Sequence, residues 1–420
     1  MDDSGSNNFK MDGVEGTGKR RDFWIASTLA LATLIIFYLS IKATQQHFDY
    51  TSRIASALLE GHVGLQKPAP SWLNEMVPQN GHYYSVFPLG AVLSMLPVAV
   101  LQKIHLVKEF PGRGLAAVIA ALSAWFLFRM SILGTKSLPK RILVSVVMVF
   151  GTWTWCNVGF GGAWQIALGI AFLGEIAALY FVLVDPRPVI AGAFFALAIG
   201  NRTEIALCLP IFLYLLLKQA VPEAKGLSAL AQHARQKSRM FIYFLIVPVA
   251  LGLLTALYNY ARFHSFFDFG YSHIPNVMKE PWYHHGLFSL YAIPWNIHKM
   301  LFEGFRDAPN FPYISFAPFG CSIFLVSPFL VLIFREGGLH KAAVWIAIGL
   351  LTLALWAHGN PGGWEFSYRY AMVLLPWMFL LLLGSGPEKI SAIEVGLFVV
   401  SIAINAIATY QFLWTTQIHP

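Results

Sequence analysis

Apolar residues in this chain come in long runs rather than at alternate positions. The runs cover residues 23–41, 86–106, 113–130, 142–158, 164–184, 188–217, 240–259, 313–334, 342–357, 371–384 and 390–412. Several approach the ~20 residues that a helix needs to cross hydrocarbon. Backbone polar groups must be satisfied internally in that medium, so each run is expected to be helical. The strand alternation of a transmembrane barrel is missing. The pattern predicts an all-α, polytopic transmembrane bundle of about eleven spans.

Three substantial polar segments, 42–85, 218–239 and 260–312, interrupt the runs. The chain divides accordingly into a tail (1–22), an N-terminal transmembrane module (23–259, with a first outer loop at 42–85), an aromatic outer loop (260–312) and a C-terminal transmembrane module (313–420). Segment 218–239 sets Lys218, Lys225, Arg235, Lys237 and Arg239 against Glu223 alone. The positive-inside rule puts it and the N-terminal tail on the cytoplasmic side, and 42–85, 260–312 and the short 358–370 loop outside. Arg335 and Lys341 then fall inside, in agreement. Arg129, Lys136, Lys140 and Arg141 do not, because span counting places their loop outside. The 188–217 run is also long for one crossing, with Pro188, Gly192, Gly200, Arg202, Glu204 and Pro210 interrupting it. Two short helices lining a cavity are the alternative, and splitting the run inverts the parity of everything before it unless another run is re-entrant.

Within 42–85, Ile54, Leu58 and Leu59 recur near helical spacing and Gly61 supplies a stop, which predicts an interfacial helix over 50–60. Residues 263–316 are crowded with aromatic and His side chains between prolines, a composition that suits a packed cap at the membrane interface.

Composition excludes a water-soluble enzyme. Of 420 residues, 57% are hydrophobic and 12% charged, against about 25% charged in soluble domains, and the mean hydropathy is +0.59. The net charge of +8 and pI near 9.3 are carried between apolar runs, where anionic headgroups account for them without nucleic acid. Cys156, Cys208 and Cys321 have no metal or disulfide spacing and read as small hydrophobes. The polar stretch ending in Lys19, Arg20 and Arg21 precedes a first span without a small-residue cleavage pattern, so that span is expected to remain as an anchor. Gly13–Lys19 has the spacing of a phosphate-binding loop, but Arg20 takes the Ser/Thr position and no strand precedes it.

Five groups of residues could carry chemistry. Asp49, just past the first span and before the predicted helix 50–60, suits a carboxylate kept anionic near headgroup depth, either as a general base or as an ordinary helix cap. Arg202 and Glu204 sit inside an apolar run, where ionisable groups either line a polar cavity or pair with each other. The loop His358-Gly359-Asn360-Pro361-Gly362-Gly363-Trp364-Glu365-Phe366-Ser367-Tyr368-Arg369-Tyr370 combines paired glycines with Trp364, Glu365 and Arg369. Arg369 is read either as a phosphate-gripping fork or as a snorkelling arginine. His264, His273, His284, His285 and His298 gather in the large loop near Asp268 and Glu280, in no zinc spacing. Glu175 stands alone in run 164–184, a packing or cavity residue.

Taken in order, these stretches resemble the C-type superfamily of membrane glycosyltransferases, in particular bacterial members related to protein O-mannosyltransferases and aminoarabinose transferases. The likeness is carried by Asp49-Tyr50 with Ile54-Ala55-Ser56-Ala57-Leu58-Leu59-Glu60-Gly61, and by Asn80-Gly81-His82-Tyr83-Tyr84-Ser85-Val86-Phe87-Pro88-Leu89-Gly90. Gly151-Thr152-Trp153-Thr154-Trp155 with Trp164-Gln165, and Asn201-Arg202-Thr203-Glu204 before Leu207-Cys208-Leu209-Pro210, extend it. Tyr258-Asn259-Tyr260-Ala261-Arg262-Phe263 with Phe269-Gly270-Tyr271, and Gly362-Gly363-Trp364 with Tyr368-Arg369-Tyr370, complete it.

The resemblance implies a bacterial inner-membrane enzyme with an outward-facing site. A sugar would pass from a polyprenyl-phosphate donor to a lipid-linked or glycan acceptor, among membrane lipids and without nucleic acid. It implies Asp49 as the base and Arg369, Arg262, Lys299 and His298 as groups on the donor phosphate. Arg202, Glu204, Tyr83, Tyr84, Trp364 and Glu365 would be cavity residues. The pattern departs from the family where Asp49 lacks an acidic neighbour, with Glu60 and Glu75 left as the carboxylates that folding could bring near. No cofactor is expected from a specific motif, a divalent cation being open. A transporter or flippase for a lipid-linked glycan is the competing expectation, supported by the interrupted helix at Arg202, and a catalytically silent membrane scaffold is the third.

Overall fold

A computed structural model describes residues 8–42, 47–224, 227–309, 311–360 and 362–418. The chain is an all-helical membrane protein. Among the described residues six helices are long and apolar enough to cross a bilayer: Arg20–Ser40, Gly112–Leu133, Ala163–Leu183, Thr203–Ala220, Ser238–Phe263 and Ala392–Trp414. Four shorter apolar helices, Leu89–Lys103, Pro188–Asn201, Lys341–Ala357 and Arg369–Leu382, accompany them.

In chain order, α1 (Asn8–Ser40) leads into α2 (Tyr50–Leu59), a hairpin of β1 (Met76–Gln79) and β2 (His82–Ser85), and the short helices α3 (Leu89–Leu93) and α4 (Leu96–Lys103). Then come α5 (Gly112–Met130), α6 (Leu138–Phe150), α7 (Thr154–Gly159), α8 (Ala163–Leu183), α9 (Pro188–Asn201) and α10 (Leu209–Ala220). The rest is α11 (Leu227–Gln236), α12 (Ser238–Phe263), α13 (Ile293–Ile297), a two-residue ladder of β3 (Arg306–Asp307) with β4 (Ile314–Ser315), α14 (Ile323–Val326), α15 (Lys341–Ala357), α16 (Leu375–Leu382) and α17 (Ala392–Trp414). Helix α8 is the hub: apolar on every face and almost wholly buried, it packs against α5, α9 and α10. A helix hydrophobic all round belongs in the middle of a bundle. By contrast, α1 and α12 keep most of their apolar surface exposed, as lipid-facing helices do.

Side-chain bonds sort the loops onto two ends. At one end Arg141 donates to Asp22 at 2.7 Å, Lys140 lies 3.5 Å and Arg335 2.8 Å from Glu394, and Glu388 accepts from Thr135 and the Lys136 amide. Gln219 closes onto the Leu183 carbonyl there. At the other end Trp414 donates to the Ser40 carbonyl, Arg262 to the Ser85 carbonyl and Asn157 to the Phe366 carbonyl. Lys136, Lys140 and Arg141 therefore share the end of Asp22 and Arg335, against the span count.

Two runs account for the discrepancy. The 188–217 run is broken at Arg202, whose extended backbone separates α9 from a 3-10 turn, Thr203–Cys208, and α10. The 86–106 run folds as two short helices whose far end comes back beside α2: Ser52 donates to Gln102, and Lys103 Nζ to the Leu59 carbonyl. It begins and ends at the same end of the molecule, contrary to the predicted crossing. Pro88, Gly90 and Pro97 supply the breaks. Interruptions also divide 142–158 at Gly151 and 313–334 at Ser327-Pro328. The predicted helix 50–60 is present as α2, but its Ile54, Ala55 and Ala57 are buried against α3 and α4 rather than left on a lipid surface.

This arrangement predicts which side a thiol reagent reaches. Single cysteines at Lys67 and Lys103 should react with an impermeant maleimide from the same side of the membrane, and one at Lys389 only from the opposite side. Labelling of Lys103→Cys together with Lys389→Cys would restore the predicted 86–106 crossing.

Candidate functional site

Three interrupted elements come together at one level and leave a cavity of about 280 Å³ between them. The α9–α10 break contributes Asn201, Arg202 and Glu204, the 3-10 turn Arg369–Leu374 contributes Arg369 and Tyr370, and the approach to α3 contributes Val86, Phe87 and Pro88. Close approach is possible because Gly90 and Gly200 cross backbone to backbone, where a Cβ on either would meet the other's Cα. Asn201 Nδ2 donates to Ser94 Oγ at 3.0 Å and ties the end of α9 to the α3–α4 turn. Glu75, Trp164, Phe269, Tyr271, Phe288, His358 and Asn360 complete much of the lining.

Two guanidinium groups stand on one ring in this cavity. The Arg202 guanidinium carbon is 4.6 Å from the centroid of Tyr370 and that of Arg369 is 5.0 Å from it. Arg202 is held at 2.6 Å by Glu204. Arg369 is buried and lies 3.1 Å from Glu365, which has no solvent exposure. The loop behind them is pinned from several sides: Glu365 N donates to the Pro318 carbonyl, Asn157 bonds Phe366 through both amide ends, Ser367 Oγ donates to the Cys321 carbonyl and Tyr368 OH to the Leu355 carbonyl. The result is a rigid cationic patch facing a small, aromatic-walled space.

Glu75 is the carboxylate facing it. It follows α2 on the way to β1, and Trp164 Nε1 donates to its Oε2 at 2.8 Å. The Glu75 amide reaches Tyr50 OH, which in turn donates to Asn74. Burial pushes the Glu75 carboxyl above its ordinary value, with the Trp164 bond and the Arg369 charge pulling the other way. Burial likewise lowers His358 and keeps its imidazole neutral, its Nδ1 lying 2.7 Å from the Asn360 carbonyl.

The residues singled out from sequence do not all converge here. Arg202, Glu204 and Arg369 line the cavity and Glu365 backs it. Asp49 lies at the N-terminus of α2 but makes no cap bond. Its Oδ1 accepts from Arg53 at 2.7 Å, in a separate open groove of about 720 Å³ that also holds Glu60 and His62. Of the two carboxylates considered as its neighbours, Glu60 shares that groove and Glu75 belongs to the other cavity.

Arg262 is fully buried and committed. It donates to the Tyr258 and Ser85 carbonyls and to Asn259 Oδ1, and stacks 3.8 Å from the Tyr258 ring centroid, bracketing α12 to the end of β2. Lys299 and His298 both lie 3.2 Å from Glu303 and are not in the cavity lining. Tyr84 packs on Gly64 and Phe263, Tyr83 pairs through its backbone with Leu65, and Trp364 packs edge-on to Phe412. Among the described residues no cluster of three His, Cys, Asp or Glu forms a metal site.

Because Arg262 bridges two elements, Arg262→Met should cost on the order of 3 kcal/mol through the acceptors it strands, read as lost thermal stability in detergent. Unchanged stability together with lost binding of a prenyl phosphate would return Arg262 to the ligand.

Compared with known proteins, the chain matches no family model, no curated protein and no solved structure.

Proposed function

We propose that the chain is a membrane-embedded glycosyltransferase that moves a sugar from a polyprenyl-phosphate donor to a hydroxyl of a lipid-linked or glycan acceptor at the outer face of a bacterial inner membrane. The observation that carries this reading is the pair Arg202 and Arg369 on Tyr370, opposite Glu75 in one cavity. Two guanidinium forks on one aromatic ring in a half-buried space suit a phosphate whose charge grows as it leaves. The volume is near the low end of ligand pockets, ~300–1,000 Å³. It fits a headgroup, with the lipid chain passing outward beside Phe269 and Phe288, which are exposed.

In this reading Glu75 takes the proton of the acceptor hydroxyl as its oxygen bonds to the anomeric carbon. The bond from that carbon to the phosphate oxygen breaks, and its electron pair leaves with the phosphate, held by Arg369 and Arg202. A base must be ionised to act. Since the Glu75 carboxyl is raised, turnover falls as pH drops through a value above the ordinary ~4.3 of a glutamate. Asp49, the base implied by the resemblance, faces the other groove.

Mass spectrometry of envelope glycolipids and glycans in a deletion strain, restored with wild type, Glu75→Gln or Asp49→Asn, tests the assignment. One product should lose a single sugar mass on deletion and regain it with wild type and Asp49→Asn, and Glu75→Gln at normal protein level should cut its formation by about 100-fold or more. Loss with Asp49→Asn and recovery with Glu75→Gln would transfer the base to Asp49. Accumulation of an intact lipid-linked precursor, with no product short of a sugar, would favour a flippase built on the α9–α10 break.

A further inference from the structure

Behind Arg369 sits a carboxyl with an unusual set of neighbours. Glu365 has no solvent exposure, and neither of its oxygens has a hydrogen-bond partner among the described residues. Its Oε2 lies 3.1 Å from Arg369 Nε, yet that N–H is unbonded too, so no aligned hydrogen bond links the pair. The carboxylate rests on the Cα of Gly362, a residue at φ +139° where any Cβ would collide with it. Arg369 makes one side-chain hydrogen bond, from Nη2 to Tyr370 OH at 3.3 Å. A guanidinium carries five N–H donors, so most of this one's capacity is uncommitted at the cavity wall.

We propose that Glu365 is a positioning residue that couples the binding of a phosphate-bearing anion at Arg369 to the uptake of one proton. A carboxylate in a dry site competes with any incoming anion for the same guanidinium and repels it across a few ångströms of low-dielectric space. Once protonated it does neither, and Arg369 meets the anion with its full charge.

Burial raises the Glu365 carboxyl to about 8, with Arg369, Arg202 and Lys299 opposing the rise. A group so raised is protonated below that value and charged above it. Anion affinity is therefore highest below pH 8 and falls above it, where binding must first draw a proton from solution. The other groups around the pair are Arg202 with Glu204, Lys299 with Glu303, His358 held neutral by burial, Tyr368 and Tyr370, and Glu75 across the cavity. Glu75 is the other raised carboxyl among them, and the test separates the two.

The inference rests on reading Arg369 as the anion-binding group, and the experiment keeps the two claims apart. Calorimetric titration of the full chain in detergent would use a short prenyl monophosphate and, separately, inorganic phosphate. Above about pH 7 the charge of the prenyl probe is constant, because a phosphate monoester's second ionisation lies near 6. The wild type should bind with even affinity from about pH 7 to 8 and then lose about tenfold per pH unit. Measurement at about pH 9 in buffers of different ionisation heat should show close to one proton taken up per anion.

Glu365→Gln should flatten the profile, whereas Glu75→Gln should leave it in place. A profile that persists in Glu365→Gln, vanishes in Glu75→Gln, or is flat in the wild type overturns the coupling. Should Glu365→Gln fail to fold, close to one proton taken up per anion in both the wild type and Glu75→Gln supports the coupling, and loss of that uptake in Glu75→Gln overturns it. Binding of neither probe at any pH overturns the anion site itself. Binding of both probes with equal affinity assigns the site to the phosphate, and preference for the prenyl probe assigns it to a lipid headgroup.

Discussion

A helix end inside a bilayer leaves backbone groups with no water to satisfy them, and this constraint organises the rest of the molecule. Three apolar runs stop short at one level: α9 at Arg202, the turn Arg369–Leu374 ahead of α16, and α3 after Leu93. Their ends are placed together so that each supplies partners to the others. Asn201 bonds Ser94, and Arg202 and Arg369 both stand on Tyr370. The crossing of Gly90 and Gly200 lets the backbones come near enough for this. The cavity is the space such broken ends cannot fill, and the polar groups that make the breaks tolerable are the ones that line it.

The opposite end follows the same electrostatic logic with a different outcome. There Lys140 and Arg335 share Glu394, and Arg141 meets Asp22. Each cation is committed to a carboxylate, and the ends of α1, α5, α6 and α17 are locked to one another. At the cavity end Arg369 has one side-chain hydrogen bond and a carboxyl partner that makes none. The cations thus divide into a structural set bonded to carboxylates or backbone carbonyls and a set with capacity to spare. Arg262, which donates from each of its three side-chain nitrogens at the cavity end, belongs to the first set.

Much of the fold was legible because hydrophobic runs carry it. The spans at 164–184 and 240–259 and the helix over 50–60 appear where the pattern puts them, Arg202 and Glu204 were singled out because charges in apolar surroundings are costly, and Arg369 because it closes a glycine-rich loop with a fork that can grip phosphate. Run length did not reveal which runs cross. The pair Pro88 and Gly90 in 86–106 and the Gly200-Asn201-Arg202 sequence in 188–217 held that information as chain breaks. The β1–β2 hairpin was also written in the sequence, since Asn80-Gly81 takes the left-handed conformation at both turn positions. Glu75 was named from sequence only as a possible neighbour of Asp49, and its place beside Trp164 was out of reach: Trp164 lies far along the chain, and only the packing of α2 against α3 and α8 brings them together. Asp49 was singled out from its place before a helix, and folding sets it in a groove separate from that of Arg369 and Glu75.

Arg369, Arg202 and Glu75 are proposed to form one phosphate-sugar site. An electron cryomicroscopy map of the full chain in lipid nanodiscs, prepared with a prenyl-phosphate sugar, tests it most directly. Density for the phosphate should lie within hydrogen-bond reach of Arg369, with the sugar between it and Glu75. Density in the groove of Asp49 and Glu60, with the Arg369 cavity empty, would contradict it.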